Sequence, residues 1–214
     1  LLKDKFSDKL INGPINKLSF LNRKFLGITE YISNEFNQKK IGMLIYNKKL
    51  SVSVVTTHLP LQLVSKKITK NLIEEKIEII DSFFRKNLNK KPKIAVTGLN
   101  PHCESILKFN EDKKIVLPAI KSSIRKKINV KGPFPADTIF LKSNRDKFNV
   151  ILGMYHDQVL TPLKTLFEYD AINITMGLPF LRISPDHGPN ESMLRKNKSN
   201  PLSLLKALKF LDRK

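Results

Sequence analysis

The chain has 214 residues, 41% of them hydrophobic, which is enough to bury the core of one large domain or two small ones. No apolar segment approaches the roughly 20 residues that a transmembrane helix needs, so we expect no membrane association and a cytoplasmic protein. The single cysteine, Cys103, excludes an intramolecular disulfide framework.

The chain is strongly basic, with 39 lysines and arginines against 19 acidic residues and a formal net charge of +20. A nucleic-acid site would concentrate these cations along one arm or helix. Here they are spread along the whole chain, in pairs such as Lys39–Lys40 and Lys126–Lys127. We therefore predict a solvated basic surface and no nucleic-acid partner, although the field would attract small anionic substrates.

The first half of the chain predicts two strands, a long helix and a third strand. Residues 41–46 and 51–57 are β-rich, and the short polar link between them predicts a hairpin or a tight strand connection. Residues 65–88 carry apolar side chains at three-to-four spacing, which predicts one amphipathic helix. A strand follows over 93–98.

The second half continues the alternation of helices and strands. We predict a helix over 113–127 with Pro118 near its start, and buried strands over 149–155 and 171–177. The last stretch predicts a helix with Ser199 or Asn200 as N-cap and Pro201 at its first position. This order implies a layered α/β fold, without internal repeats.

Three of the four histidines follow β-rich segments: His58, His102 and His156. Functional crevices of open α/β sheets lie beyond the carboxyl ends of the strands. Three imidazoles with one open position are also a usual ligand set for a catalytic divalent metal. The pattern favours a metal site, and the alternative is three unrelated polar residues in loops. We interpret the fourth, His187, as a structural or pocket-lining residue.

Seven segments resemble, in order, the motifs of the 4-hydroxythreonine-4-phosphate dehydrogenase family of vitamin B6 biosynthesis. They are LINGPINK, FLGITEYIS, VVTTHLPL, AVTGLNPHCES, GPFPADTIF, MYHDQVLTPLK and NITMGLPFLRISPDHG. The resemblance implies a two-lobed α/β/α fold like that of isocitrate and isopropylmalate dehydrogenases. It also implies that residues 1–214 form most of such an enzyme without roughly its amino-terminal third, and the lobe boundary stays open.

The resemblance implies roles for particular residues. His58, His102 and His156 would bind one divalent ion (Zn, Mg or Co) in a site shared between the subunits of a homodimer. Four further positions correspond to substrate contacts: Thr29, Lys164, Asn173 and Arg182. Candidates for catalysis or for orienting its groups are Asp137, Asp157 and again Lys164. Asp137 has an alternative role as the cap of a helix beginning near Thr138.

The reaction that the resemblance implies is oxidation of the secondary alcohol of 4-phosphohydroxythreonine by NAD or NADP. The β-keto acid formed would then lose carbon dioxide, and one metal ion would assist both steps. The family does not use a G-x-G-x-x-G fingerprint, so its absence does not argue against a nicotinamide cofactor. The nucleotide-binding residues and the choice between NAD and NADP stay open.

Two departures from the family motifs keep other functions open. Ile28 replaces a substrate-contacting histidine of the family, and Cys103–Leu107 replace a glycine-rich turn. Ile28 cannot donate a hydrogen bond, which favours as alternative a paralogous dehydrogenase acting on a phosphorylated sugar acid or a cis-dihydrodiol. A third hypothesis is a truncated, non-catalytic relative.

Overall fold

A single sheet of eight strands organises the part of the chain that the structure describes. This computed structural model describes residues 1–15, 24–25, 27–104, 109–188, 191–193 and 195–212. The strands are β1 (Lys9–Ile11), β2 (Gly42–Tyr46), β3 (Ser51–Val54), β4 (Ile94–Thr97), β5 (Val130–Phe134), β6 (Val150–Gly153), β7 (Ile172–Met176) and β8 (Leu181–Pro185). Their order across the sheet is β1-β8-β7-β2-β3-β6-β4-β5.

Helices fill most of the connections between the strands. They are α1 (Ile28–Glu35), α2 (Leu61–Lys67), α3 (Lys70–Leu88), α4 (Leu117–Arg125), α5 (Ala136–Ile139), α6 (Lys142–Arg145), α7 (His156–Phe167) and α8 (Leu202–Leu211). Short 3-10 turns span Pro101–Cys103 and Glu191–Met193, and a π-helical turn spans Asp112–Val116. Among the described residues, none of the helices is long and apolar enough to cross a bilayer.

The pairing of strands determines which loops share an edge of the sheet. β3 and β4 both pair in parallel with β6, which lies between them. Their carboxyl ends therefore lie at the same edge, and the three segments that carry His58, His102 and His156 leave the sheet there. β2 pairs antiparallel with β3, as the predicted hairpin requires.

Both faces of the sheet are buried, which is why its strands read as nearly continuous apolar runs. Val150 and Leu152 of β6 pack into the same cluster as Ile77 of α3. Ile151, between them, packs on the opposite face with Leu163 of α7. Alternate residues of a strand point to opposite faces, so one strand contributes to both cores. The layered α/β fold predicted from the sequence is confirmed.

Three predicted helices differ from the structure at their beginnings. The helix predicted over 65–88 is wrong as one element, because α2 ends at Lys67 and α3 begins at Lys70. The helix predicted over 113–127 opens with the π-helical turn and becomes α-helical only from Leu117. Pro201 precedes α8 instead of occupying its first turn, while Asn200 Oδ1 accepts from the Leu202 N–H at 2.9 Å.

The break between α2 and α3 has a local cause. Thr69 is extended (φ −129°, ψ 157°), and its side-chain oxygen accepts a hydrogen bond from the Leu72 N–H at 3.2 Å. A threonine in this conformation caps a helix, because its hydroxyl satisfies an N–H that has no partner inside the helix. The Thr69 hydroxyl therefore marks the beginning of α3, at a point where the apolar spacing alone predicts one continuous helix.

Replacing Thr69 with Ala should lower the free energy of unfolding by about 1 kcal/mol, because the Leu72 N–H loses its acceptor. Urea unfolding followed by circular dichroism measures the change. Thr165→Ala is the matched control, since the Thr165 hydroxyl only donates to the Thr161 carbonyl within α7. Equal stability of the Thr69→Ala and wild-type proteins would contradict the capping role.

Candidate active site

A cavity of about 440 Å³ lies over β2, β7 and β8 and is bounded by α7. Its floor is formed by side chains of these strands, including Ile45, Asn173 and Arg182. Six of the residues that the sequence predicts for the site line this cavity: Thr29, His58, His156, Lys164, Asn173 and Arg182. The fold therefore brings together residues that lie up to 153 positions apart in sequence.

Two of the predicted metal ligands are neighbours. The ring centroids of His58 and His156 lie 5.8 Å apart, with 37° between the ring planes. His156 Nδ1 lies 2.7 Å from Asp157 Oδ1. When the Nδ1–H donates to this carboxylate, Nε2 is the ring nitrogen left with a free lone pair that could bind a metal. Asp157 thus orients a predicted ligand, although its own side chain is 80% exposed.

The third predicted ligand, His102, stands apart from this pair. It is exposed, lies in the turn Pro101–Cys103 that follows β4, and does not line the cavity. Within the described residues, no group of three His, Cys, Asp or Glu side chains is arranged to hold a metal ion. Within one copy of the chain, therefore, His58 and His156 lie together at the cavity, and His102 lies outside it.

The backbone before His102 is held by a buried carboxylate that the sequence analysis missed. Asp112 is fully buried and accepts hydrogen bonds from the Leu99 N–H at 2.6 Å, the Asn100 N–H at 3.1 Å and the Asn100 side chain at 3.0 Å. His102 itself has φ of 55°, in the left-handed region. An acidic residue after an asparagine-rich loop gives little sequence signal for this role.

Asp137 also lies on the His102 side of the molecule. It is exposed in the first turn of α5, and that helix contacts the turn Pro101–Cys103. Burial raises the pKa of Cys103 to about 11, with Asp112 and then Asp137 adding to the rise. The alternative in which Asp137 caps a helix near Thr138 is wrong, because α5 begins at Ala136 and Pro135 precedes it.

Arg182 is the most buried charged group of the cavity, with 1% of its surface exposed. Its Nε donates to Asn12 Oδ1 at 2.7 Å, and its Nη1 donates to Thr175 Oγ1 at 2.8 Å and Thr29 Oγ1 at 3.2 Å. Burial lowers the pKa of Arg182 to about 10, and the charge of Glu30 opposes this shift. Among the described residues Arg182 forms no ion pair, so a cation with neutral partners faces the cavity.

Lys164 and Asn173 complete the polar lining. Lys164 Nζ lies 2.5 Å from Asp186 Oδ2 and also donates to the Asp186 backbone carbonyl. Burial raises the pKa of Asp186, and its hydrogen bond with Lys164 opposes the rise. The buried Asn173 Oδ1 has no hydrogen-bond partner among the described residues. Asp186 and Asn12 were not predicted, although both belong to segments that carry the family resemblance.

The two departures from the family motifs fall in different places. Ile28 opens α1 and lines the cavity beside Thr29, so an apolar side chain replaces the family histidine at the cavity wall itself. Of the other departure, Cys103 and Glu104 follow His102, while residues 105–107 lie outside the described residues. The last two residues of LINGPINK and Leu26 of FLGITEYIS also lie outside them.

Residues 1–211 match the family model described as "Pyridoxal phosphate biosynthetic protein PdxA". The chain belongs to this family. It is 40% identical to 4-hydroxythreonine-4-phosphate dehydrogenase of Sulfurihydrogenibium sp. over 97% of its length and 65% of the relative's. It is 36% identical to D-threonate 4-phosphate dehydrogenase of Pectobacterium atrosepticum over 91% of its length and 61% of that protein's. The chain thus spans a little under two thirds of these curated relatives.

Solved structures of other proteins have a similar fold. The crystal structure of 4-hydroxythreonine-4-phosphate dehydrogenase from Klebsiella pneumoniae matches with a TM-score of 0.81 at 33% identity, over 95% of this chain and 64% of that one. An isocitrate dehydrogenase from Methylococcus capsulatus matches with a TM-score of 0.60 at 12% identity, over 96% of this chain and 67% of that one. That likeness concerns the fold alone, and it confirms the predicted isocitrate dehydrogenase-like α/β class.

Replacing Arg182 with Lys should lower the free energy of unfolding by about 2–4 kcal/mol, because one ammonium cannot satisfy acceptors on three separate segments. Urea denaturation measures the loss. The matched control is Arg85→Lys, since Arg85 is 46% exposed and forms its ion pair with Asp81 one turn away on the same helix; it should change stability by less than about 1 kcal/mol. Similar losses in both variants would contradict a special role for the Arg182 hydrogen bonds.

Proposed function

We propose that residues 1–214 form most of a metal-dependent, NAD(P)-linked dehydrogenase acting on 4-phosphohydroxy-L-threonine. It oxidises the secondary alcohol to 2-amino-3-oxo-4-(phosphooxy)butanoate, which then loses carbon dioxide to give 3-amino-2-oxopropyl phosphate, in vitamin B6 biosynthesis. The observation that carries this proposal is one cavity that joins two adjacent imidazoles, His58 and His156, to the cations Lys164 and Arg182.

The polar lining suits a small substrate with two anionic groups. Arg182 uses three of its five N–H donors within the chain, and the two on Nη2 have no partner among the described residues. They can donate to a phosphate or carboxylate oxygen, while Lys164 supplies a second cation. Thr29 adds a hydroxyl, and Asn173 Oδ1 is an acceptor for the amino group of the substrate.

The donor set of the cavity fits a divalent metal of the Zn, Mg or Co type. Two imidazoles bound to one ion through nitrogens at about 2.1 Å have centroids about 5–6 Å apart, and the observed separation is 5.8 Å. When bound, the ion supplies polarisation of the substrate hydroxyl and stabilisation of the charge that decarboxylation develops. Asp157 holds the His156 ring in the orientation that binding requires.

The third ligand in this proposal is His102 from a second copy of the chain in a homodimer. Its exposure and its position outside the cavity support an intermolecular role. Asp137 lies on the same side of the molecule as His102, so both residues would contribute to the shared site. There Asp137 would accept or donate a proton as a general base or acid. The nicotinamide cofactor, NAD or NADP, accepts the hydride.

D-threonate 4-phosphate is the second candidate substrate. Curated relatives of similar identity carry this specificity in their names, and Ile28 stands where the main hypothesis expects a histidine. The two substrates share the carboxylate, the oxidised hydroxyl and the phosphate, and differ in an amino or hydroxyl group at the neighbouring carbon. The cavity contains two cationic side chains, Lys164 and Arg182, and two imidazoles, His58 and His156, which favours a catalytic protein over the non-catalytic alternative.

A mixing experiment tests the shared metal site. His58→Ala and His102→Ala proteins should each lose activity and bound metal, as wild type does with a chelator. After subunit exchange, half of the dimers are mixed and each contains one intact site, so activity should recover to about a quarter of wild type. A mixture of His58→Ala and His156→Ala is the control and should stay inactive. No recovery in the first mixture would contradict sharing of ligands between copies.

NAD(P) reduction in the presence of each substrate tests the reaction. We expect reduction with 4-phosphohydroxythreonine that depends on a divalent metal, and a KM that falls by at least about fivefold in an Ile28→His variant, because a restored donor contributes about 1–3 kcal/mol. Ile15→His, on the same cavity wall, is the control. A higher kcat/KM with D-threonate 4-phosphate would select the second candidate, and no reduction with either would refute the dehydrogenase proposal.

A further inference from the structure

Glu30 lies close to His58 and its charge acts on Arg182, but neither the family resemblance nor the proposed reaction gives it a role. It occupies the first turn of α1, directly after the cavity residue Thr29. Its Oε2 atom is buried and has no hydrogen-bond partner among the described residues. A buried carboxylate oxygen without a partner is costly, so such an atom in a folded protein usually awaits a donor.

The imidazole of His58 lies close to this carboxylate. A Cβ built on Gly27 would lie 2.8 Å from Glu30 Oε2 and 3.9 Å from His58 Cε1, so both groups flank the same backbone position. Glu30 and His58 also line a second, smaller cavity of about 160 Å³, which shares Thr29, Met43 and His58 with the candidate active site. Glu30 does not line the candidate active site itself, so His58 is bordered by that cavity and also by the smaller one that contains the carboxylate.

We propose that Glu30 is a positioning residue, whose carboxylate accepts a hydrogen bond from the ring N–H of His58 when the other ring nitrogen binds the metal. Metal-bound histidines usually donate their second N–H to a carboxylate or carbonyl, which fixes the tautomer and the direction of the ring. His156 already has such a partner in Asp157. With Glu30 as the partner of His58, each imidazole of the pair would have its own carboxylate.

Gly27 makes room for this contact. The residue is extended (φ −169°), a conformation open to any side chain, so its lack of a side chain matters for space and not for backbone freedom. A methyl group there would come within 2.8 Å of Glu30 Oε2, closer than real Cβ atoms approach. Glycine at this position thus permits the carboxylate to lie beside His58.

The inference rests on the proposed metal site, and cobalt binding tests the two separately. Co²⁺ titration of the purified protein, followed by visible absorption and by competition with a chelator, should show tight binding that His58→Ala abolishes. Glu30→Gln should weaken Co²⁺ binding about tenfold and Glu30→Ala about a hundredfold. Both variants remove the same charge, so a difference between them reports the oxygen acceptor that only Gln retains.

Control measurements separate positioning from damage to the fold. Glu35→Gln, on the same helix but paired with Lys3 at the surface, should bind Co²⁺ like wild type. The melting temperature without metal should not fall in Glu30→Gln, because Oε2 has no hydrogen-bond partner to lose among the described residues and a neutral amide is less costly to bury than a carboxylate. Binding of inorganic phosphate should be kept or strengthened, since Arg182 loses a neighbouring negative charge.

Three results would overturn the inference while leaving the metal site intact. They are equal losses of Co²⁺ affinity in Glu30→Gln and Glu30→Ala, wild-type Co²⁺ affinity in both variants, or weakened phosphate binding together with weakened Co²⁺ binding.

If Glu30→Ala does not fold, Gly27→Ala takes its place, because the added methyl group displaces the carboxylate but keeps its charge. Wild-type Co²⁺ affinity in Gly27→Ala would then overturn the inference. Absence of Co²⁺ binding by wild type, or unchanged binding by His58→Ala, would instead refute the metal site and the inference with it.

Discussion

The parallel alignment of β3 and β4 on either side of β6 is the constraint on which the candidate site depends. Parallel neighbours end at one edge, so the segments after them emerge side by side whatever their separation in sequence. His58 follows β3 and His156 follows β6, and these adjacent strands bring the rings within 5.8 Å. His102 follows β4 on the other side of β6, but it lies in the exposed turn Pro101–Cys103 and does not line the cavity.

Charge within the cavity follows a second constraint, which is burial. Arg182 is held on the sheet by hydrogen bonds to oxygen atoms that carry no charge, and it forms no ion pair among the described residues, although the charge of Glu30 acts on it from nearby. A desolvated cation attracts an anion more strongly than one in water, because the surrounding dielectric is low. The chain's overall positive charge acts at longer range and brings anions towards the cavity, whereas Arg182 acts on contact.

Much of the fold was predictable because strands and helices differ in apolar period. The hairpin of β2 and β3, the buried strands β6 and β7 and the body of α3 all follow from local patterns. The break at Thr69 was not predicted, since apolar spacing continues through it while one hydroxyl ends the continuity. The order of strands across the sheet was also out of reach, because it depends on pairing between distant segments.

The residues of the candidate site were also only partly predictable from the sequence. The positions of the histidines after strands carried a signal, and the family motifs selected Thr29, Lys164, Asn173 and Arg182, which the structure brings into one cavity. Asn12, Asp112 and Asp186 act through contacts formed only in the folded chain. A polar residue whose partner lies far away in sequence looks like any surface residue until the topology is known.

The three hydrogen bonds of Asp112 have a consequence for the loop that carries His102. A metal-binding side chain on a flexible loop loses conformational entropy when it binds an ion, and this loss lowers the affinity for the ion. Here the backbone at Leu99 and Asn100 is fixed during folding, just ahead of the left-handed residue His102. Most of the entropic cost of ordering the backbone before His102 is thus borne during folding, which would favour metal binding by this histidine in the proposed site.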